Sequence, residues 1–195
     1  MSLKQQDQIE NMILSRLDVI QTSVSLAPNI GKSVNTIIKC LKKGNKVVLF
    51  GNGGSAADAQ HIAAEFIGRF NFNRKSLPAI ALTSNSSIIT ALSNDFSFDT
   101  VFSRQCESLI STGDVAIGIS TSGNSLNIKK AFITSKKKGA ITIGLLGHKG
   151  GIIKKNADIS IIVNSSSTAY IQEIHRIIYH IICDIVEREL SKSSK

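Results

Sequence analysis

Tryptophan is absent from this 195-residue sequence, and aromatic residues make up only 5% of it. Binders of single-stranded nucleic acid stack bases on aromatic side chains, so that class is disfavoured and no nucleic-acid partner is expected. Cysteine is also scarce. Cys40, Cys106 and Cys183 are odd in number, far apart and set mostly in apolar stretches. They read as reduced core thiols, which places the chain inside the cell and gives a cytoplasmic location as the expectation. No run reaches the ~20 apolar residues that a membrane helix needs. The richest, Ile177 to Val186, is interrupted by His180 and Asp184, so no membrane partner is expected. Met1 to Arg16 alternates polar and apolar residues at helical spacing and lacks the unbroken apolar core of a signal peptide. Acidic residues are the minority: 14 against 23 basic ones give a net charge of +9. A basic surface attracts phosphorylated ligands or nucleic acid, although the run Lys136 to Lys138 reads as a solvated helix face.

What is present is a chain 42% hydrophobic, long enough to bury the core of one α/β domain and too short for a second catalytic one. Short β-branched runs at Lys46–Phe50, Leu77–Leu82, Asp114–Ile119, Ile141–Leu146 and Asp158–Val163 lack period-two alternation. Strands buried on both faces have that pattern, as in a parallel sheet. The segments between them are long enough for crossover helices, which predicts a three-layer sandwich with five parallel strands, flavodoxin-like. Two helices, Gln5–Leu26 and Asn29–Lys43, should precede the sheet, divided at Ala27-Pro28. A long helix, Thr168–Leu190, should close the chain. The expected organisation is one domain over 1–195, with helices in 1–43 available for oligomer packing, a core in 44–190, and a frayed end at Ser191–Lys195.

The chemistry gathers where strands end. Gly51-Asn52-Gly53-Gly54-Ser55 follows the first strand and leads into a helix; the glycines permit a tight turn, and Ser55 could cap the helix and offer N–H groups to an anion. Alone this is equally an ordinary glycine turn. The dinucleotide fingerprint is missing, and so is the Gly-Lys-Ser/Thr of a P-loop. Ser120-Thr121-Ser122-Gly123-Asn124-Ser125 ends the third strand with four hydroxyls at a helix start, a pocket suited to a phosphate dianion. Thr83 to Ser87 ends the second strand similarly. Ligands of open parallel sheets bind at the carboxyl ends of strands, so three hydroxyl-rich loops there point to a polar, phosphorylated ligand.

These loops, with Ile171-Gln172-Glu173-Ile174-His175, resemble sugar isomerase (SIS) domains of the phosphoheptose isomerase type. The resemblance runs from about Leu41 to Glu187 and includes Gly68-Arg69-Phe70, Asn94-Asp95-Phe96, Phe102 to Gln105 and Gly150-Gly151. His61 and Glu65 are four residues apart on one helix face, and Gln172 and His180 lie about two turns apart on another. On spacing alone, the first pair is also what an exposed hydrogen-bonded pair looks like, and a histidine beside Ile177, Ile178 and Ile181 is also what a core residue looks like.

The resemblance implies a zinc site at His61, Glu65, Gln172 and His180, whose imidazole, carboxylate and amide donors suit that ion. It further implies that Glu65 is the base that removes a proton from C1 of a ketose and that His180 is the acid, giving an aldose through an enediol. A zinc-bound carboxylate is a weak base, so Glu65 cannot serve fully in both roles at once. Ser120, Thr121, Ser122 and Ser125 would hold the phosphate with Ser55 nearby. Asn52, Gly53, Gly54, Asn94, Asp95 and Gln172 would meet the sugar. A homotetramer is implied as well. His148 and His175 receive no role. The sequence departs from the pattern at Asn85, commonly aspartate, and Tyr170, commonly arginine. Non-catalytic SIS relatives that bind the replication initiator DnaA share the loops but lack counterparts of Glu65 and His180, so the enzyme is favoured.

Overall fold

A computed structural model describes residues 3–192 of the chain. Helix α1 (Leu3–Ser23) leads through a 3-10 turn (Val24–Leu26) into α2 (Ala27–Lys42), where Pro28 sits in the first turn and its fixed φ is already helical. The expected break at Ala27-Pro28 is thus a tightened turn between nearly continuous helices. Strands β1 (Val47–Gly51), β2 (Ala79–Ala81), β3 (Val115–Ser120), β4 (Ile141–Gly147) and β5 (Ile159–Val163) form one parallel sheet in the order β2-β1-β3-β4-β5. The five-stranded parallel sandwich expected from the sequence is therefore the observed fold. Crossovers are made by α3 (Gly54–Ile67), by α4 (Ser86–Asp95) with α5 (Val101–Leu109), and by α6 (Leu126–Lys137). Between β4 and β5 the expected crossover helix is reduced to a 3-10 turn at Lys154–Asn156. The closing helix α7 (Thr168–Lys192) extends past the expected end at Leu190. Ser191 and Lys192, expected to fray, belong to it, and 193–195 lie outside the described residues.

Alternate residues of each buried strand feed opposite faces of the sheet. Val47, Leu49, Ile117, Ile143 and Ile161 pack under α2, α3 and α7, while Val48, Phe50, Ala116 and Leu146 pack under α5 and α6. Phe50 stacks on Phe102 at 5.5 Å between ring centroids and meets Phe132 edge-on at 5.8 Å. The three cysteines are buried and unpaired. Burial pushes their thiols up, to about 11 for Cys40 and Cys106 and about 12 for Cys183. Among the described residues no helix is long and apolar enough to cross a membrane.

Winding runs one way from β1 to β2 and the other from β1 to β3, so the switch point lies between β1 and β3. Of the three loops singled out in the sequence, those beginning at Gly51 and Ser120 leave the carboxyl ends of these two strands, and Thr83 to Ser87 follows the edge strand β2.

Candidate active site

The β1 loop works because of its glycines. Gly53 adopts φ 55 and ψ −123 as it caps α3, a conformation that a side chain would strain. Gly54 lies so close to the Gln172 amide that an added Cβ would stand 1.9 Å from its Nε2. Ser55, which could have capped the helix, is instead the second residue of α3, and Gly53 holds the cap position. The Ser55 backbone N–H donates to the Asn52 carbonyl at 3.0 Å. The Asn52 amide is committed in both directions to Asn127 on α6, at 3.0 and 2.9 Å. That reciprocal pair ties the two anion-type loops together. Asn127 is buried and drew no notice in the sequence, where it is one more polar residue after a serine loop.

In the β3 loop, Ser120 Oγ is 3.0 Å from Ser125 Oγ and accepts from the Gly123 N–H at 3.1 Å. Ser122 Oγ accepts from the Asn124 N–H. Thr121 is partly exposed beside them. Ser125 occupies the cap position of α6 without a side-chain cap bond, so the hydroxyls brace one another across the mouth of the helix. Two cavities flank this edge. One of about 480 Å³ lies outside the serine loop, lined by Ser122, Asn124, His148 and Lys149. The other, about 340 Å³, is lined by Gly54, Ala57, Gln172 and Arg176. The smaller one adjoins the seam between α3 and α7.

Along that seam α3 and α7 run side by side. Gln172 stands at Gly54, Tyr179 reaches Asp58, and His180 meets His61. His61 Nε2 is 2.9 Å from Glu65 Oε1, and the His61 and His180 rings meet edge-on at 5.2 Å. Phe70 covers His180 at 5.6 Å. Burial, reinforced by His61, pulls the His180 pKa below its ordinary value, although Glu65 acts the other way. The chain thus brings His61, Glu65 and His180 together. Gln172 stands about two turns away, and Asn94 and Asp95 lie elsewhere. These last two end α4, bond to each other at 2.8 Å, and belong to the layer where Leu92 packs with α5 and α6.

Two tautomers fit the His61 contacts. With the proton on Nε2, the ring donates to Glu65 and Tyr179 can turn its hydroxyl to Nδ1, 3.2 Å away. With the proton on Nδ1, Tyr179 accepts from His61 and donates to Asp58 Oδ1 at 3.3 Å. The second arrangement points a lone pair of Nε2 at a carboxylate, which is favourable when a cation lies between them. Imidazole and carboxylate donors of this kind fit zinc. Among the described residues no three His, Cys, Asp or Glu side chains are already gathered for a metal ion.

His175, unassigned from the sequence, is fully buried; its Nε2 donates to the Leu146 carbonyl at 3.1 Å while Nδ1 has no partner. It pins α7 to the carboxyl end of β4, and burial pushes its pKa down to about 4. The unfolded histidine titrates near 6.5, so below that pH the unfolded chain binds a proton that the folded chain refuses. The stability due to neutral His175 is therefore complete above about pH 6.5 and drains as pH falls toward 4, by about 3 kcal/mol in all. Urea unfolding at pH 7.5 and 4.5 should show a smaller decline for His175→Gln, which keeps a donor for Leu146, than for the wild type. Equal declines would contradict this account.

A family model described as the SIS domain matches residues 12–147. A phosphoheptose isomerase of Citrifermentans bemidjiense is 52% identical over 170 residues, covering 87% of this chain and 88% of its own length. The chain belongs to the phosphoheptose isomerase family of SIS domains. Solved phosphoheptose isomerases from Neisseria gonorrhoeae and Francisella tularensis match with TM-scores of 0.89 and 0.91 at 36% and 33% identity. They cover 94% and 96% of this chain and 98% and 100% of their own. The match of the family model begins inside α1, upstream of Leu41, where the sequence motifs begin.

Both departures from the phosphoheptose isomerase pattern have local roles. Asn85 caps α4 by accepting from the Ile88 N–H at 3.1 Å, a task that aspartate and asparagine do about equally well. Tyr170 Oη lies 2.6 Å from Ser15 Oγ, and Arg16 stacks 4.6 Å above its ring. Tyr170 therefore fastens α1 to α7.

Proposed function

We propose that the chain converts sedoheptulose 7-phosphate to D-glycero-D-manno-heptose 7-phosphate by proton transfer through an enediol, the first step of nucleotide-activated heptose synthesis. The observation that carries this reading is the convergence of Glu65 with His61 and His180 beside the switch-point loops. Ser120, Thr121, Ser122 and Ser125, with Ser55 nearby, hold the phosphate. The carbon chain then runs toward the α3–α7 seam along the cavity wall formed by Gly54 and Gln172, with Asn52 and Gly53 at its edge. Glu65 takes the proton from C1 and returns it at C2. His180 gives an N–H proton to the developing oxygen and recovers it as the aldehyde forms. Acid–base groups placed in this way contribute ~10²–10⁴ each in rate.

Zinc would be held by His61, Glu65 and His180, with the Gln172 amide as a weak further donor; because Glu65 cannot be a tight ligand and the base at once, its hold on the ion would be loose or given up to the substrate, and when bound the ion supplies positive charge that stabilises enediolate oxygen. The buried thiols suit the reducing cytoplasm, where we place the reaction. Incubation of the purified protein with sedoheptulose 7-phosphate, with and without added zinc, tests the proposal: an aldoheptose 7-phosphate should appear in the NMR spectrum, faster with zinc. Absence of product under both conditions would sink it.

We further propose a homotetramer whose subunit contacts close this site. Helix α1 has no buried residue, and Ile9, Met12, Ile13, Leu14 and Leu17 are exposed along it. An apolar groove of about 370 Å³ continues from Ile20 and Val24 to Ile177, Ile181 and Ile185 on α7, one to five residues from His180. An apolar surface of this extent marks an association site. Light scattering at micromolar concentration should give four times the 21.0 kDa chain mass; a monomer mass would refute the assembly.

A further inference from the structure

Asp58 is a carboxylate with almost no exposed surface in the second turn of α3, and nothing in the reaction assigned above uses it. Its Oδ1 lies 3.4 Å from Arg176 Nη2 and 3.3 Å from Tyr179 Oη, and Oδ2 is buried without a partner. Tyr179 is itself buried, 1% exposed, with its ring edge-on to both histidines, 5.5 Å from His61 and 4.7 Å from His180. Its hydroxyl is 3.2 Å from His61 Nδ1. We propose that Tyr179, anchored by Asp58, is a positioning residue that holds the proton of His61 on Nδ1 and so turns the lone pair of Nε2 toward Glu65.

The direction of each bond follows from chemistry. A carboxylate paired with a guanidinium accepts only, so between Tyr179 and Asp58 the hydroxyl is the donor. The phenolic oxygen, having given its proton to Asp58, offers lone pairs to the imidazole. Only Nδ1–H can answer them, and Nε2 is left as an acceptor. Without the hydroxyl the ring would be free to place its proton on Nε2 and donate to Glu65 at 2.9 Å, which would occupy both groups with each other. Partners that orient a ligating histidine in this way are typically worth 10–100-fold in metal affinity. Asp58, Tyr179 and His61 sit on two helices packed along their length, so the relay also sets the register of α3 on α7 at the site.

This inference rests on the proposed metal reading, and the test separates the two. Zinc affinity is measured by competition with a chromogenic chelator for the wild type, Tyr179→Phe and Asp58→Asn. Tyr179→Phe removes one buried oxygen and keeps the ring, so its metal-free thermal midpoint should stay within a few degrees of the wild type. Both variants should bind zinc about 10–100-fold more weakly. Tyr179→Phe that binds zinc within twofold of the wild type overturns the proposal. If the wild type takes up no zinc, the metal reading fails, and the nitrogen-15 shifts of the neutral His61 ring decide the relay. A proton on Nδ1 in the wild type and on Nε2 in Tyr179→Phe supports it; the same tautomer in both overturns it.

Discussion

Glu65→Gln should lower kcat by two or more orders of magnitude, about 3 kcal/mol of transition-state stabilisation, while sugar phosphate still binds. The substitution keeps the size and reach of the side chain, and its amide can still contact His61, so the fold should be unaffected. What disappears is the basic carboxylate that accepts the C1 proton. His180→Gln should show a loss of the same order, because it removes both a nitrogen donor and the proposed acid. Steady-state kinetics on folded variants check both, and near wild-type turnover in either would overturn the assigned mechanism. A loss confined to KM would also count against it, since contacts present in ground and transition states alike raise KM without lowering kcat.

The second large effect is on stability, and it comes from a residue outside the chemistry. Glu187 is almost fully buried and accepts from the backbone N–H groups of Phe70 at 2.8 Å and Phe72 at 2.9 Å, and from that of Asn71 between them. Arg74 Nε lies 3.0 Å from its Oε1, a contact that is ionic more than a well-formed hydrogen bond. Burial works against the charged carboxyl, but the three N–H donors and Arg74 more than offset it and hold its pKa below the ordinary range. The remaining Arg74 nitrogens donate to the carbonyls of Glu65 and Phe66 at the end of α3, both at 2.8 Å. This clasp folds the segment after α3 onto α7 and presses Phe70 against His180. Glu187→Ala leaves a buried guanidinium and three N–H groups without their anion. The expected loss is about 3–5 kcal/mol of unfolding free energy, measured by urea denaturation. A loss below about 1 kcal/mol would mean that the clasp contributes little.

Much of this architecture was legible in the sequence because buried parallel strands and hydroxyl-rich strand ends leave local signals. The five strands emerge within a few residues of their expected positions, and His61 and Glu65 share a helix face because i and i+4 always do. What stayed hidden is what depends on packing between segments far apart in the chain. Glu187 looks like one more charge in a terminal helix until the loop at Phe70 to Phe72 wraps around it. Asp58 looks like an ordinary polar helix residue until Tyr179 and Arg176 arrive from α7. Gln172 and His180 appear equivalent by spacing, yet the parallel run of α3 and α7 sets one against Gly54 and the other against His61. The β4–β5 link is long enough for a helix by sequence, yet Gly150 and Gly151, both at positive φ, make it a turn.

The central claim, proton transfer through an enediol, is tested most directly by following sedoheptulose 7-phosphate with the zinc-supplemented wild-type protein in deuterium oxide by NMR. The account predicts an aldoheptose 7-phosphate in which at least part of the product carries deuterium at C2, because the proton removed from C1 passes through a base able to exchange with solvent. Product without deuterium would contradict the enediol in favour of a direct hydride shift. No product from any heptose phosphate, together with tight binding of a replication initiator protein, would replace the isomerase with the non-catalytic assembly role.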